Sequence, residues 1–165
     1  MTNTNPRDLI TLRDVKLIFR NFAGEARRFN NEGDRNFVVV LNDDQAAELE
    51  SRGYKVKTLP PYHDGDDPQN ILKVKVSYKY QKPVVVVMTS GTRNELDADT
   101  IGFLDNAYIQ RADLSFRGSA WTTVDGSSGV TAYLNSLYVT LEEDDLAKEY
   151  AESTMAPSLE EEVPF

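Results

Sequence analysis

The feature that most constrains this chain is a period of two. In ILKVKVSYKY (71–80), Lys73, Lys75, Ser77 and Lys79 alternate with Val74, Val76, Tyr78 and Tyr80. Successive side chains of a strand point to opposite faces, so this run predicts a strand with one buried face. LRDVKLIFRNF (12–22) alternates too, with Val15, Leu17 and Phe19 on one side and Lys16, Ile18, Arg20 and Phe22 on the other. RNFVVVL (35–41) is almost wholly apolar, as expected of a central strand, and VVVVMTS (84–90) is an apolar strand that would be hazardous as an open edge. YKVKTL (54–59), YIQRADLSFRG (108–118) and VTAYLNSLYVTL (130–141) complete the set, the last two flanking the turn signal DGSSG (125–129).

The period breaks once with conviction. NDDQAAELESRG (42–53) offers Asn42 or Asp43 as an N-cap, good helix formers, and Gly53 as a stop, which predicts a short helix. AGEARRFNNEGD (23–34) and YHDGDDPQN (62–70) have loop composition, TSGTRNE reads as a turn, and NELDADTIGFLDNA leaves room for one helical turn. EEDDLAKEYAES suits a short acidic helix, and TMAPSLEEEVPF has the composition of a disordered end. The expected fold class is mainly β: an OB-like β-barrel of about five to seven strands, with one or two short helices and a disordered acidic C-terminal tail. Periodicity alone does not separate such a barrel from an open sandwich. The expected boundaries are a flexible arm over 1–10, a barrel domain over 11–141, and an acidic interaction segment over 142–165.

No stretch approaches the roughly 20 apolar residues of a membrane helix. The polar start MTNTNPRDL has no signal-peptide core, and cysteine is absent, so a cytoplasmic protein without disulfides is expected. The net charge of −9 is unevenly placed: residues 142–165 carry nine carboxylates against Lys148, a net −8, which leaves the body near neutral at −1. Residues 1–82 hold 14 of the 18 Lys and Arg. A balanced body can still carry a basic groove, because the local field matters more than the sum.

Catalytic signals are thin. His63 is the only histidine, beside Asp64, Asp66 and Asp67 in a loop whose spacing does not match a calcium site. No enzyme activity, cofactor or metal is expected. The cations are more informative. Lys73, Lys75 and Lys79 share one strand face, and Lys55 and Lys57 share another. Arg20, Arg27, Arg28 and Arg35 lie among Phe19, Phe22, Phe29 and Phe37, and Arg111 and Arg117 accompany Phe116 and Trp121. Phe19 and Phe37 are expected in the core. Cations that follow phosphates and flat rings that stack on bases are what single-strand binding without sequence preference requires. The plainer alternative makes the lysines solubilising outer faces and closes the core with Phe116 and Trp121.

The chain ends SLEEEVPF. Glu160, Glu161 and Glu162 followed by Val163, Pro164 and Phe165 resemble the C-terminal tip of bacterial single-stranded DNA-binding proteins. FRNFAG, EGDRNFVVVL and AYLNSLYVTLEEDDLAKEYA resemble a family of phage and prophage single-stranded DNA-binding proteins over residues 15–150. The resemblance implies an OB-type barrel that coats single strands in phage replication and recombination. It also implies a tail that recruits replication or recombination proteins. The bacterial proteins join body to tip by a long Gly/Gln/Pro-rich linker, whereas here the connection is a handful of residues. A phage structural or assembly protein, and a metal-dependent enzyme using the His63–Asp67 loop, are the competing readings. The oligomeric state is open, and a homo-oligomer is compatible with the sequence.

Overall fold

The computed structural model describes residues 9–61, 63–79 and 81–143. The expected acidic helix beyond Glu143, the tail residues Glu160–Phe165, Tyr80 and most of the N-terminal arm lie outside them. The described residues form nine strands: β1 (Ile10–Leu12), β2 (Lys16–Asn21), β3 (Arg35–Leu41), β4 (Lys57–Leu59), β5 (Gln69–Val76), β6 (Val84–Met88), β7 (Arg93–Leu96), β8 (Ile109–Thr122) and β9 (Ser128–Leu141). One α-helix, α1 (Asp43–Ser51), follows β3, and a 3₁₀ turn (Ile101–Asp105) precedes β8.

Strand order alone shows why the sheet is rolled. Along β1-β8-β9-β5-β3-β2, the strands β1 and β2 stand at opposite ends, yet only residues 13–15 separate them in the chain. A flat sheet of six strands would hold its ends about 24 Å apart at ~4.8 Å per strand. The four steps from Leu12 to Lys16 reach at most about 14 Å. The sheet must therefore curl, and the seam is made by Val15 N–H donating to the Ala112 carbonyl at 3.0 Å and Asp14 N–H donating to Asp113 Oδ1 at 2.7 Å. β5 and β9 run parallel, while β2–β3, β3–β5 and β8–β9 are antiparallel. This is an OB-like, partly open barrel of β2, β3, β5, β9 and β8, with the short strands added at its margins.

The apolar run of β6 is no open edge, since it pairs with β7 on one side and β9 on the other. β7 was not expected: Ser90 and Gly91 form the turn, and the exposed Arg93–Leu96 segment is a strand because it pairs with β6. α1 follows its cap signals. Asn42 Oδ1 accepts from Gln45 N–H at 2.7 Å, and Gln45 Oε1 accepts from Asn42 N–H at 3.0 Å, which closes a capping box. The helix buries Ala46 and Leu49.

One stretch departs from the simple alternation. β2 keeps Leu17 buried, but its register against β3 shifts between Ile18 and Asn21, and Phe19 takes a positive φ of 48°. The extra residue turns Phe19 out to 61 % exposure and turns Phe22 in. The core expectation for Phe19 is thereby corrected. Phe22 stacks on Phe37 with centroids 4.8 Å apart, and Tyr54 meets Phe116 edge-on at 5.4 Å.

Candidate nucleic-acid interface

The interface is built on the outer face of the barrel. In β5, Leu72, Val74 and Val76 point inward, so Lys73 and Lys75 point outward. Cross-strand pairing then extends a row from Lys75 in both directions. Asn36 of β3 stands opposite Lys75, Lys75 opposite Tyr133 of β9, and Tyr133 opposite Arg117 of β8. Directly paired side chains lie about 5 Å apart, so four strands present one continuous line of amide, ammonium, phenol and guanidinium. Arg117 is held upright by donating to Asn135 Oδ1 at 2.9 Å.

Around this row opens a cleft of about 1040 Å³. Its walls carry five cations, Arg35, Lys73, Lys75, Lys79 and Arg117, against one carboxylate, Asp34. They also carry three rings, Phe29, Tyr78 and Tyr133. A small-molecule pocket is mostly apolar with a few polar groups; this cleft is cationic along its length, as suits a polyanion. A smaller hollow of about 410 Å³ lies elsewhere, where Lys16 and Arg20 are offset by Asp14 and Glu142 and no anion preference arises.

The loop between β2 and β3 forms one wall and is folded by its own amides. Asn21 is buried and exchanges hydrogen bonds with the Glu25 backbone, while Asn30 donates to the carbonyls of Glu25, Asn31 and Asp34. Asn36 donates to Asn30 Oδ1. Gly24, at φ 72°, lets Gly33 N–H reach its carbonyl at 2.7 Å, and an added Cβ there would press on the Gly33 backbone. The result is a pinned loop with Phe29 at its tip, 88 % exposed and 5.3 Å from the Arg28 guanidinium. Opposite, Arg35 donates to the Phe22 carbonyl at 2.8 Å and lies over the Tyr78 ring at 5.4 Å. Burial pushes the Tyr78 hydroxyl above its ordinary pKa, partly offset by Arg35 and reinforced by Asp97.

A family model for phage ssDNA-binding domains matches residues 2–163, nearly the whole chain. The chain belongs to that family. Among solved structures, the single-stranded DNA-binding protein from bacteriophage Enc34 is similar at 12 % identity, with 82 % of each chain covered and a TM-score of 0.51. The single-stranded DNA-binding protein gp2.5 of bacteriophage T7 is similar at 10 % identity over 92 % of this chain and 98 % of that one, with a TM-score of 0.46. No curated protein sequence matches the chain.

In this phage ssDNA-binding domain, the residues expected from sequence separate into three groups. Lys73, Lys75, Lys79, Arg117 and Phe29 line the cleft, with Arg27 and Arg28 exposed on the loop beside it. Lys55, Lys57 and Trp121 lie together at the far end of the β8–β9 hairpin. The rest are used elsewhere. Phe22 and Phe116 have no exposed surface, so neither ring can receive a base; the core takes both. Arg20 donates to the carbonyls of Leu104 and Ala107 at 2.8 Å each, which fixes the 3₁₀ turn. Arg111 pairs with Asp113 at 3.2 Å, six residues from Arg117 along β8.

The cleft also holds Arg35, whose arginine-and-phenylalanine stretch the sequence singles out, and Tyr78 and Tyr133, which it does not. Tyr133 alternates with core residues in AYLN, and only its pairing with Lys75 reveals its place. Tyr78 follows the end of β5 at Val76, where the alternation no longer dictates direction. Among the described residues, no group of three or more His, Asp or Glu could share a metal ion, the His63–Asp67 loop included. No helix among the described residues is long and apolar enough to cross a membrane.

Proposed function

We propose that this protein binds single-stranded DNA in the cleft, without sequence preference, and coats strands exposed during phage replication and recombination. The observation that carries this is the Asn36–Lys75–Tyr133–Arg117 row, which sets one ring able to stack on a base between two phosphate-seeking cations across four strands. Such groups contact features common to every nucleotide and carry no base code. The role is one of binding, not catalysis, in keeping with the family description and with the structural neighbours named as single-stranded DNA-binding proteins. It would be exercised in the host cytoplasm. The acidic segment ending in Glu160, Glu161, Glu162, Val163, Pro164 and Phe165 recruits partner proteins in this reading. Phe165 would fill an apolar pocket on the partner and the glutamates would lie along a basic rim.

The decisive experiment is a salt titration of oligo-dT binding with the Lys73→Glu/Lys75→Glu protein. Each lost phosphate contact lowers the slope of log K against log salt by about 0.7. The double variant should therefore show a slope shallower by about 1.4, with affinity reduced alike for all sequences. A parental slope in that variant would remove the cleft as the binding site.

A further inference from the structure

The cleft ends at Ser119 on β8 and Lys73 on β5, but the face it belongs to does not. Arg117, Ser119 and Trp121 alternate along β8, and their partners on β9 are Tyr133, Thr131 and Gly129. Trp121 is thus on the same outer face as Arg117, four residues further along a regular stretch of the ladder, or about 13 Å.

Trp121 sits in a made seat. A Cβ added at Gly129 would stand 2.7 Å from Trp121 Cζ2 and 2.8 Å from Lys55 Cε, so glycine alone lets the indole and the lysine stem close over the strand. Lys55 is brought there by a bridge between Tyr54 and Val130 and by Val130 N–H donating to the Gly53 carbonyl at 3.1 Å. Tyr54 points into the core and Lys55 outward, with its Nζ 5.8 Å from the indole centroid. Lys57 stands opposite Ile71, on the strand edge that carries Lys73 and Lys75 further along. The ion pairs among the described residues involve neither Lys55 nor Lys57. A hairpin stabilised by a Trp–Gly pair alone would need no cations beside it. Two lysines without carboxylate partners, one resting on the ring, are the composition of a stacking station with its phosphate neutralisers.

We infer that the path of single-stranded DNA continues from the cleft to a second base-stacking station at Trp121, with Lys55 as a movable cap. On binding, the base takes the open face of the half-buried ring and the Lys55 ammonium exchanges the indole for a backbone phosphate. This inference rests on the cleft reading. The two stations are separated by about four nucleotides at the stacked spacing of ~3.4 Å per nucleotide, or fewer if the strand is stretched.

Trp121 is the only tryptophan, so the emission of the full-length protein reports this station alone. End-labelled oligo-dT strands of about 4 and 16 nucleotides, the limits of OB-fold site sizes, separate the stations. Label anisotropy measures binding anywhere, and indole emission measures arrival at Trp121. The long strand should quench the indole, and Trp121→Leu should weaken its binding about tenfold while changing the short strand's less than about twofold. Lys55→Gln, an exposed substitution that leaves the ring in place, should retain quenching and make the salt slope shallower by about 0.7. A long strand that binds with unchanged emission, or with parental affinity for Trp121→Leu, overturns the second station and leaves the cleft reading standing. An unchanged salt slope for Lys55→Gln overturns the cap. Failure of any strand to bind overturns the cleft reading and the station with it.

Discussion

Phe22 and Phe29 are seven residues apart and chemically identical, yet their environments are opposite. Phe22 has no exposed surface and stacks on Phe37; Phe29 is 88 % exposed at a loop tip among arginines. Emptying the first site leaves a cavity, and Phe22→Ala should cost about 3–5 kcal/mol of stability. Phe29→Ala removes nothing from the core and should change stability by less than about 0.5 kcal/mol. If Phe29 stacks on a base, the same change should weaken oligo-dT binding by about 1–3 kcal/mol. Thermal melts and strand titrations on the two proteins check both halves. A Phe29→Ala protein that melts normally and binds normally would place Phe29 outside the DNA path.

At the scale of elements, the structure depends on a corner. Residues 13–15 carry the chain from β1 to β2, from one end of the strand order to the other, and Asp113 is what they close on. Burial would raise the Asp113 carboxyl, but the Asp14 amide and the Arg111 guanidinium outweigh it and hold the pKa below the ordinary 3.8. A carboxyl whose pKa is depressed by folding stabilises the fold above its unfolded value, and that stabilisation is lost as pH falls through the folded value. The barrel seam should therefore weaken in acid, below about pH 4. Asp113→Asn keeps an oxygen acceptor for the Asp14 amide but does not titrate. Its melting temperature should fall less steeply than that of the parent between about pH 4 and pH 2.5. Identical pH profiles for the two proteins would show that the seam's carboxylate does not govern acid stability.

For the whole molecule, the governing fact is the separation of charge. Residues 142–165 hold a net −8 of the total −9, and the cleft holds five cations against Asp34. The glutamates of that segment are the natural competitors for those cations. Under the proposed function, they compete with DNA for the cleft, and DNA binding frees the tip for partners. Deleting residues 158–165 should then tighten oligo-dT binding, most at low ionic strength, where charge competition is least screened. Binding that is unchanged or weaker in a titration of the shortened protein would rule this competition out.

How much was legible depended on how local the signal was. The alternation of 71–76 and the caps of 42–53 are local, and both elements stand where their residues require. So are the outward lysines of β5, since the parity of a strand is set once its buried face is known. The charge imbalance between body and tail is a property of the sequence alone. The fate of Phe19 and Phe22 was not legible, because a bulge of one residue inverts every side chain beyond it, and the bulge is decided by pairing with β3. The strand identity of Arg93–Leu96 came from β6, not from its own polar residues. The candidate interface is the clearest case. Asn36, Lys75, Tyr133 and Arg117 are far apart in the chain and adjacent in the sheet, so only the register among β3, β5, β9 and β8 makes them one row. The sequence by itself determined which residues could stand on a surface for DNA. Tertiary pairing decided which of them stand together, because neighbours across a sheet are chosen by hydrogen-bond register between strands and not by distance along the chain.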